Sequence, residues 1–589
     1  MRNAVRRAVL PVLVVLLVTS QAHADRIHVN INTPLDGDGS TWGQAMRSLV
    51  DALAMAQPGD EVWVAQGTYG LGVNALRDDS FVVPTGVALH GGFVGGENAL
   101  SERPADFGAS QTFLGGGQNN AYSVIRLSGG TGDTIIDRFI VRNGNAEGDP
   151  NGLLRETRGG GLFLNMRGNV LIRDVVVRDC DADGDGGGLY ALRSGLIGTL
   201  RLERVRFNRC ISEGAGGGAY LSVNTIVSDA SFEANDAREG GGIAVEGNTF
   251  ITVRDSSIIS NTATGFVGGG VFLETDASSN NHIFTDTLFI DNRSSEADGG
   301  AIAFRGFGTC DLVRCTIALN SAESPGASGG AILMFARGSS ELIIENSLVA
   351  GNVSDGPGAG IRHNPIDNGS TFIVNSTMVG NATINAPAGA ISFADGELFV
   401  INSILWDNQD SNGGQSASLA GAGSTTVTLE NSIIGGLGVG PNPVLPAVNT
   451  TGDDPMFVDA DGPDNLYGTA DDNVRLAPGS PAIDAGRSNL PAANQPTDFY
   501  GDPRLADDPA TADTGVPSAG GLTVDIGAAE FQPAACPADT NGDGVVNPAD
   551  FNAWVIAFNT QSPACDQNGD GLCNPADFNA WVINFNAGC

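Results

Sequence analysis

The chain has 589 residues, 83 of them glycine, and a formal net charge of −37 at pH 7. A chain of this length exceeds one ordinary hydrophobic core, so a repetitive architecture or several domains are expected. No lysine occurs, and the strong acidity argues against nucleic acid and anionic lipid as partners.

Residues 1–24 have the pattern of a secretory signal peptide. Arg2, Arg6 and Arg7 form a basic start, an apolar stretch covers 8–18, and Ala-His-Ala at 22–24 matches a cleavage site. The apolar stretch is too short to span a membrane, and no later segment qualifies. We therefore expect a secreted or cell-surface protein without a membrane span.

An amphipathic helix is predicted near the start of the mature chain, over 42–56. Leu49, Leu53 and Ala56 share one of its faces, and Pro58 and Gly59 end it. Such a helix would cap the open end of a solenoid and protect its unpaired edge. Strands of the first coils are predicted over 25–32, 60–65 and 87–93.

A glycine-rich motif recurs nine times, as in Gly-Gly-Gly-Leu-Tyr at 186–190. The third small residue of each copy follows the previous one after 24 to 31 residues, at 161, 188, 218, 242, 270, 301, 331, 360 and 390. A period of this length predicts a solenoid, in which each repeat buries its apolar face only against its neighbours. Apolar residues directly after the motif and two positions further on predict a strand with one face in the core.

Two polar columns follow in each repeat. The first column contains Cys180, Cys210, Asn235, Asn261, Asn292, Asn320, Asn352, Asn381 and Asn408. Asparagine tolerates a left-handed bend and can bond to its copies in adjacent coils, so we expect a ladder here. The second column, six residues earlier, contains Asp174, Arg204, Asp229, Asp255, Asp286, Arg314, Asn346, Asn375 and Asn402. Three short strands per coil with glycine and asparagine at the corners predict an all-β parallel β-helix.

The motif pair Gly-Gly-Ala-Ile at 299–302 and Phe-Ile-Asp-Asn at 289–292 resembles the polymorphic outer membrane protein repeat. The resemblance covers about 159–410 and implies a right-handed parallel β-helix. The start of the chain and the segments 454–459, 475–486 and 525–531 are similar to secreted planctomycete β-helix proteins of the choice-of-anchor type. We therefore divide the chain into a capped β-helix over 25–440 and terminal coils with a C-terminal cap over 441–533.

Acidic residues cluster within the predicted C-terminal cap. Asp459, Asp461 and Asp464 are followed closely by Asp471 and Asp472. Carboxylate oxygens of this kind bind calcium, but a solvated acidic turn explains the same pattern. Both interpretations stay open.

Residues 534–589 contain two calcium-loop motifs at a 27-residue offset. The first loop would bind through Asp539, Asn541, Asp543, Val545, Asn547 and Asp550. The second would bind through Asp566, Asn568, Asp570, Leu572, Asn574 and Asp577. Oxygen ligands stand at the required positions, with Gly544 and Gly571 where the loop must turn sharply.

Each loop leads into a nearly identical helix, at 551–556 and 578–583, and neither has an entering helix. This arrangement resembles a type I dockerin, which implies Ca²⁺ as cofactor and a cohesin-like partner. Pro-Ala at 548–549 and 575–576 departs from the hydroxyl residues usual there, so a cell-envelope partner is the alternative.

Cysteines occur in both parts of the chain. Cys536, Cys565, Cys573 and Cys589 allow three pairings, of which we favour a 536–589 bridge. A Cys573–Cys589 bridge would have to span the intervening helix. In the solenoid, Cys180 and Cys210 are expected to stack as buried thiols, with a disulfide as the alternative.

No catalytic motif is recognised. Enzymes of this fold mostly cleave acidic polysaccharides with a lysine or arginine base or with clustered aspartates, and the lack of lysine excludes some of these mechanisms. The aspartate column 229, 255 and 286, with Arg204 or Arg254 as base, is one candidate, and solvated bends are the other explanation. The histidines at 28, 90, 282 and 363 are scattered, and His363 is expected to point inward or lie at an edge.

Aromatic residues occupy the outward position between two core residues in several repeats, namely Phe163, Tyr190, Tyr220 and Phe272. Rings at strand spacing can stack on sugars or on each other. The sequence thus predicts a secreted calcium-binding β-helix that acts in extracellular polysaccharide binding or breakdown. If it is an enzyme, it is a polysaccharide lyase or a glycoside hydrolase. A non-enzymatic adhesin or surface structural protein, anchored through the tail, is the alternative.

Overall fold

The computed structural model describes residues 25–72, 74–116, 120–127, 129–195, 198–411, 413, 418–421, 425–436, 447–490, 495–533, 537–541 and 546–587. The predicted signal peptide lies outside these ranges. Most of the described chain winds into a parallel β-helix, in which strands pair in parallel with the equivalent strands of the adjacent coils. The predicted fold class is confirmed.

A complete coil passes through four sheets in turn. Sheet 1 follows the glycine motif and contains Phe81–Val83, Ile125–Leu127, Leu162–Met166, Leu189–Arg193, Ala219–Ser222, Ile243–Gly247, Val271–Thr275, Ile302–Phe304, Ile332–Met334, Ile361–His363, Ile391–Phe393 and Leu419–Gly421. Sheet 2 contains Arg26–Val29, Glu61–Ala65, Ala88–Phe93, Thr134–Asp137, Val170–Arg173, Leu200–Glu203, Thr225–Ser228, Ile251–Arg254, Asn281–Thr285, Thr309–Val313, Glu341–Glu345, Ser370–Val374, Glu397–Ile401, Thr426–Glu430 and Ala447–Val448.

Sheet 3 contains Gly67–Tyr69, Thr112–Gly115, Ile140–Arg142, Val176–Arg178, Arg206–Asn208, Ser231–Glu233, Ser257–Ile259, Leu288–Ile290, Thr316–Ala318, Leu348–Ala350, Thr377–Val379, Ile404–Trp406 and Ile433–Ile434. Sheet 4 contains Asn145–Ala146, Asp181–Ala182, Ile211–Ala215, Asp236–Glu239, Thr262–Ala263, Arg293–Ser294, Ser321–Ala322, Val353–Ser354 and Ala382–Thr383. We predicted three strands per coil. The fourth is mostly two residues long, because the chain stays extended only briefly after the asparagine corner.

Alternate side chains of each strand fill the interior. In Val170–Arg173, Val170 and Ile172 are buried in the core, whereas Leu171 and Arg173 are partly exposed on the outside. Registers such as Leu162 to Leu189 to Ala219 place equivalent residues directly over one another. One continuous hydrophobic core therefore runs along the axis from the first coil to the last.

The glycine motif is required by the close approach of adjacent coils. Its first residue lies in the left-handed region, as for Gly186 at a φ of +72°. A Cβ on the second residue, Gly187, would lie 2.2 Å from the carbonyl oxygen of Ile211 in the next coil. Glycine therefore permits both the corner and the stacking.

The predicted asparagine ladder is present and buried. Each side-chain amide from Asn235 to Asn381 donates from Nδ2 to the Oδ1 of the next member, at 2.8–3.0 Å. Each also donates to a main-chain carbonyl, for example Asn320 to Phe289. One expectation was wrong, because the residue before each ladder asparagine, such as Ala234 at a φ of +53°, adopts the left-handed bend instead. The asparagine itself is outside the left-handed region, and its amide bonds to the asparagine of the adjacent coil.

The N-terminal cap differs in part from its prediction. The α-helix covers Leu49–Met55, with Ser48 as its N-cap, and a 3₁₀ turn covers Trp42–Gln44. The helix does not begin at Trp42, because Met46 forms a parallel bridge with Val29 at the edge of sheet 2. A residue in such a bridge cannot be part of a helix. The expected apolar face is confirmed, since Leu49, Leu53 and Ala56 are all buried.

Residues 453–531 lie beside the last coils rather than on top of them. Their antiparallel strands, Phe457–Asp459 and Asn473–Leu476, form a separate sheet. Apolar residues of this segment pack on the outer face of sheet 3, where they cover Leu348, Val379 and Ile404. We call this segment the C-terminal cap. Apart from the two tail helices described below, the other described helices are Leu100–Glu102, Phe107–Ser110, Leu154–Thr157 and Pro563–Cys565.

No helix within the described ranges is long and apolar enough to cross a membrane.

The ladder predicts a large cost for Asn320→Ala. The substitution leaves the main-chain N–H and the Nδ2 of Asn292, together with the carbonyl of Phe289, without their partner in the interior. At about 1–3 kcal/mol for each unsatisfied group, we expect a loss of about 3 kcal/mol or more, measured by denaturant unfolding. The exposed Asn248→Ala is the control and should change stability by less than about 0.5 kcal/mol. Equal effects of the two substitutions would contradict the role of the ladder.

Candidate functional site

The predicted aromatic column lies on the outer face of sheet 1. Phe163 stacks on Tyr190 with ring centroids 5.4 Å apart, and Tyr190 stacks on Tyr220 at 5.0 Å. Phe163, Tyr190 and Phe272 are only 8%, 5% and 0% exposed, because residues around sheet 4 fold over this face. Of the two interpretations given above, the rings stack on each other, and sugar binding by these residues stays a prediction.

Carboxylates lie beside the tyrosines. The hydroxyl of Tyr220 donates to Oε2 of Glu246 at 2.9 Å. Burial raises the pKa of Glu246, and nearby Asp185, Glu239 and Glu274 raise it further, although the tyrosine hydrogen bond lowers it. Burial likewise raises the pKa of Glu239.

Arginines compensate part of this negative charge. Arg158 donates to the hydroxyl of Tyr190 at 3.2 Å and pairs with Asp185 at 3.0 Å. Arg305 approaches Glu274 at 3.8 Å. We call this cluster the acidic patch, which consists of Arg158, Asp185, Tyr190, Tyr220, Glu239, Glu246, Glu274 and Arg305. Hydroxyl, carboxylate and guanidinium groups in one half-buried cluster can donate and accept several hydrogen bonds at once.

Sequence reasoning missed the acidic members of this patch. Glu246 and Glu274 are in register in sheet 1, two residues after the aromatic column, so extending that column by one outward position would have found them. Asp185 and Glu239 each directly precede a glycine corner, between sheet 4 and sheet 1. The corner and the stacking of successive coils bring them to the tyrosines.

The aspartate column at 229, 255 and 286 lines a cavity of about 610 Å³ together with Arg206 and Glu233. Arg204, a predicted lyase base, is held by Asp174 through bonds of 2.7 and 3.0 Å. Arg314 holds Asp286 in the same way, at 2.8 and 2.7 Å. These ion pairs tie adjacent coils together. Arg254 is exposed.

The histidines lie in the protein interior, in contact with other side chains. His363 is fully buried, as expected, and lies 2.8 Å from the hydroxyl of Thr371. Burial lowers the pKa of His363 to about 4, so the ring is neutral at pH 7. His90 lies 2.9 Å from the buried Asp137, which also pairs with Arg103 and Arg173. These contacts join residues of the first coils.

The acidic cluster predicted in the C-terminal cap is brought together only in part. Asp464 approaches Asp471 and Asp472, with one oxygen of each lying within 4.8 Å of the others. Asp459 and Asp461 fall outside this group. Calcium binding by these residues stays a prediction.

The tail forms a small helical module from Pro548–Thr560 and Pro575–Ala587. Asn547 caps the first helix, and Asp550 accepts from the N–H groups of Asn547 and Asn541. Asp577 does the same in the second repeat, from Asn574 and Gln567. These backbone bonds lower the pKa of Asp577.

The two repeats close on each other through their tryptophans. Nε1 of Trp554 donates to the carbonyl of Cys565, directly before the second loop, at 3.1 Å. Nε1 of Trp581 donates to the carbonyl of Ala538, directly before the first loop, at 3.3 Å. Both rings are 5% exposed. The two repeats therefore make equivalent contacts with each other.

The second loop has the predicted turn, since Gly571 adopts a φ of +79°. Asp566 accepts from the N–H groups of Gly569 and Gly571, and Asp570 accepts from that of Leu572. Carboxylate and amide oxygens stand at its ligand positions, the donor set that calcium prefers. In the first loop, Asp543 and Val545 lie outside the described residues.

A disulfide joins Cys565 to Cys573, with the Cα atoms 5.6 Å apart. Cys536 and Cys589, for which we favoured a bridge, lie outside the described residues. Cys180 and Cys210 are buried free thiols, as expected. Burial and the adjacent Cys180 raise the pKa of the Cys210 thiol.

No protein-family model matches the chain. No curated protein matches it. A solved structure with a similar course is the crystal structure of pectate lyase Pel9A, with 13% identity and a TM-score of 0.35. The match covers 87% of this chain and 97% of the lyase chain. A likeness at this level bears on neither substrate nor catalysis.

The raised pKa of Glu246 predicts that Glu246→Gln stabilises the protein at neutral pH. A raised carboxyl pKa means that ionisation costs more in the folded than in the unfolded chain, so the native glutamate lowers stability as the pH rises above its ordinary 4.5. We expect a higher unfolding temperature for Glu246→Gln at pH 7, and no difference below about pH 4. The exposed Glu233→Gln is the control. A gain that persists at low pH would contradict this cause.

Proposed function

We propose that the protein binds a neutral extracellular polysaccharide at the acidic patch on sheet 1. The observation that carries this proposal is the bonded pair Tyr220 and Glu246, half-buried among further carboxylates and arginines. Sugar hydroxyls would donate to the carboxylates and accept from Arg158 and Arg305. Hydrogen bonds to ionised groups are about twice as strong as those between neutral groups.

The excess of carboxylates favours a neutral over an acidic glycan. Asp185, Glu239, Glu246 and Glu274 would repel uronic acids, since like charges across an interface cost several kcal/mol. Burial and the neighbouring carboxylates raise the pKa of Glu246, so its ionised form costs stability. Groups kept at a cost to stability are typical of binding sites.

Ion pairs between the bends of adjacent coils favour a second candidate function, a non-enzymatic adhesin or surface structural protein. Arg204 with Asp174, and Arg209 with Asp179, link adjacent coils on the outside of the solenoid. Such links would stiffen a shaft without forming a site. Retention of a glycan distinguishes the first function from this one.

The tail is proposed to bind two Ca²⁺ ions through its repeated loops and to attach the exported protein to a cohesin-like or cell-envelope partner. The oxygen donors of the second loop, its glycine turn and the paired helices support this proposal. The predicted signal peptide supports secretion or display at the cell surface.

For the glycan, we expect Glu246→Gln to weaken retention of a neutral polysaccharide by roughly 10- to 100-fold, because a charge-assisted hydrogen bond contributes about 1.5–3 kcal/mol. Affinity electrophoresis against neutral and acidic polysaccharides, with and without calcium, measures this effect. A reducing-end assay on the same samples detects cleavage. The control Glu147→Gln, at an exposed glutamate outside both candidate sites, should retain the glycan like the unaltered protein. Absence of both retention and cleavage across the panel would remove the proposal.

For the tail, Asp566→Ala and Asp539→Ala should each lower the number of bound Ca²⁺ ions by one, because each removes the first ligand of a loop. Equilibrium dialysis of the full chain measures the number. Asn579→Ala, on the exposed side of the second helix, should leave it unchanged. An unchanged number in both aspartate variants would contradict calcium binding by the loops.

A further inference from the structure

The C-terminal cap buries more negative than positive charge. The carboxyl groups that are at most 2% exposed are those of Asp484, Asp498, Asp525 and Glu530. Among the described residues of the cap, the one buried cation is Arg504. Its Nη2 donates to the carbonyls of Asp525 and Gly527, and its Nη1 lies 3.7 Å from Glu530. Buried charges are stable only when they are paired, so one arginine cannot compensate four carboxylates.

Backbone N–H groups satisfy most of these oxygens, and Asp484 is the exception. Oδ2 of Asp484 accepts from the N–H of Asp508 at 3.3 Å. Its Oδ1 has no hydrogen-bond partner among the described residues, although the residue is 0% exposed. Burial and the adjacent Asp525 raise the pKa of Asp484 to about 7. One oxygen of the ionised carboxylate, Oδ1, therefore has no partner among the described residues.

Two further carboxylates converge on this group. Asp484, Asp507 and Asp513 each place an oxygen within 4.8 Å of the other two. Asp507 and Asp513 are exposed, so solvent reaches the outer side of the cluster. A buried carboxylate with a free oxygen thus lies under two exposed ones.

The segment 505–515 folds around Asp484. The carbonyl of Asp484 accepts from the N–H groups of Thr514 at 2.9 Å and Gly515 at 3.1 Å. The N–H of Asp508 donates to Oδ2 of Asp484, so residues near both ends of the segment contact Asp484. Asp484 lies in the left-handed region at a φ of +51°. Aspartate tolerates this conformation better than most non-glycine residues, and many bends of this chain adopt it.

We propose that Asp484, Asp507 and Asp513 bind one calcium ion, which fastens the segment 505–515 to the C-terminal cap. The donors are all oxygens, and water can complete the shell from the exposed side. Calcium accepts six to eight such ligands in a flexible arrangement, whereas magnesium requires a near-ideal octahedron and loses water reluctantly. The cation would also offset the excess of buried negative charge.

The second carboxylate group of the cap does not support the same inference. Asp464 and Asp471 are exposed, and Asp471 and Asp472 accept hydrogen bonds from Thr469. No member of this group has a buried oxygen without a partner among the described residues. The proposal is therefore confined to the cluster around Asp484.

The test separates this site from the calcium loops of the tail. The full chain with Asp539→Ala and Asp566→Ala serves as the background. Asp507→Asn and Asp513→Asn are added to it, since both positions are exposed and their substitution leaves the buried Asp484 in place. The matched control adds Asp183→Asn and Asp276→Asn, two exposed aspartates of the solenoid with the same change in charge.

Equilibrium dialysis should give one fewer Ca²⁺ ion per chain for the 507/513 variant than for the control. Calcium at ten times its dissociation constant should also slow amide exchange across 506–515 by about tenfold in the control and not in the 507/513 variant. Equal calcium numbers, or equal slowing in both proteins, would overturn the site. Displacement of the ion by an equal concentration of magnesium would overturn its assignment to calcium.

Discussion

The buried asparagine ladder and the glycine corner impose one condition on the solenoid, namely that each coil lies directly over the previous one. The side chain of Asn320 has its partners in adjacent coils, at Asn292, Asn352 and Phe289. A coil without neighbours would leave this amide unsatisfied in an apolar interior, which costs more than the bonds themselves contribute. Stability is therefore shared between neighbours, and the first and last coils need covers.

This condition leaves the outer faces of the sheets free to differ along the axis. Sheet 3 has polar outward residues in its middle strands, such as Ser231 and Glu233, but apolar ones in its last strands, such as Leu348 and Ile404. The C-terminal cap covers that apolar part. Sheet 1 presents tyrosines and carboxylates at mid-length. The core is uniform because each coil must stack on the next. The outward-facing residues are free of this condition, so they differ in chemistry from coil to coil.

The C-terminal cap is held together in another way. Its interior depends on side chains such as Asp498 and Asp525 that accept hydrogen bonds from the backbone of distant segments, here Glu530 and Asp484 respectively. Hydrogen bonds of this kind fix irregular loops that have no repeating partner. Its contact with the solenoid uses an asparagine of the second polar column, since Asn402 donates to the carbonyl of Arg487.

The sequence by itself determined the parallel β-helix, its period, the buried ladder, the apolar face of the N-terminal helix and the paired architecture of the tail, because these follow from local residue patterns that repeat. It did not reveal the shortened first helix, the place of the cap on sheet 3, or the acidic patch. Met46 forms a bridge to Val29, a partner 17 residues away, and Asp185 and Glu246, which belong to different coils, meet only when the coils stack. The sequence predicted the aromatic column. It did not predict the burial of these rings, because that burial depends on sheet 4 and no repeated motif indicated this sheet. Contacts between unlike, distant segments carry no periodic signal, so only the tertiary structure decided them.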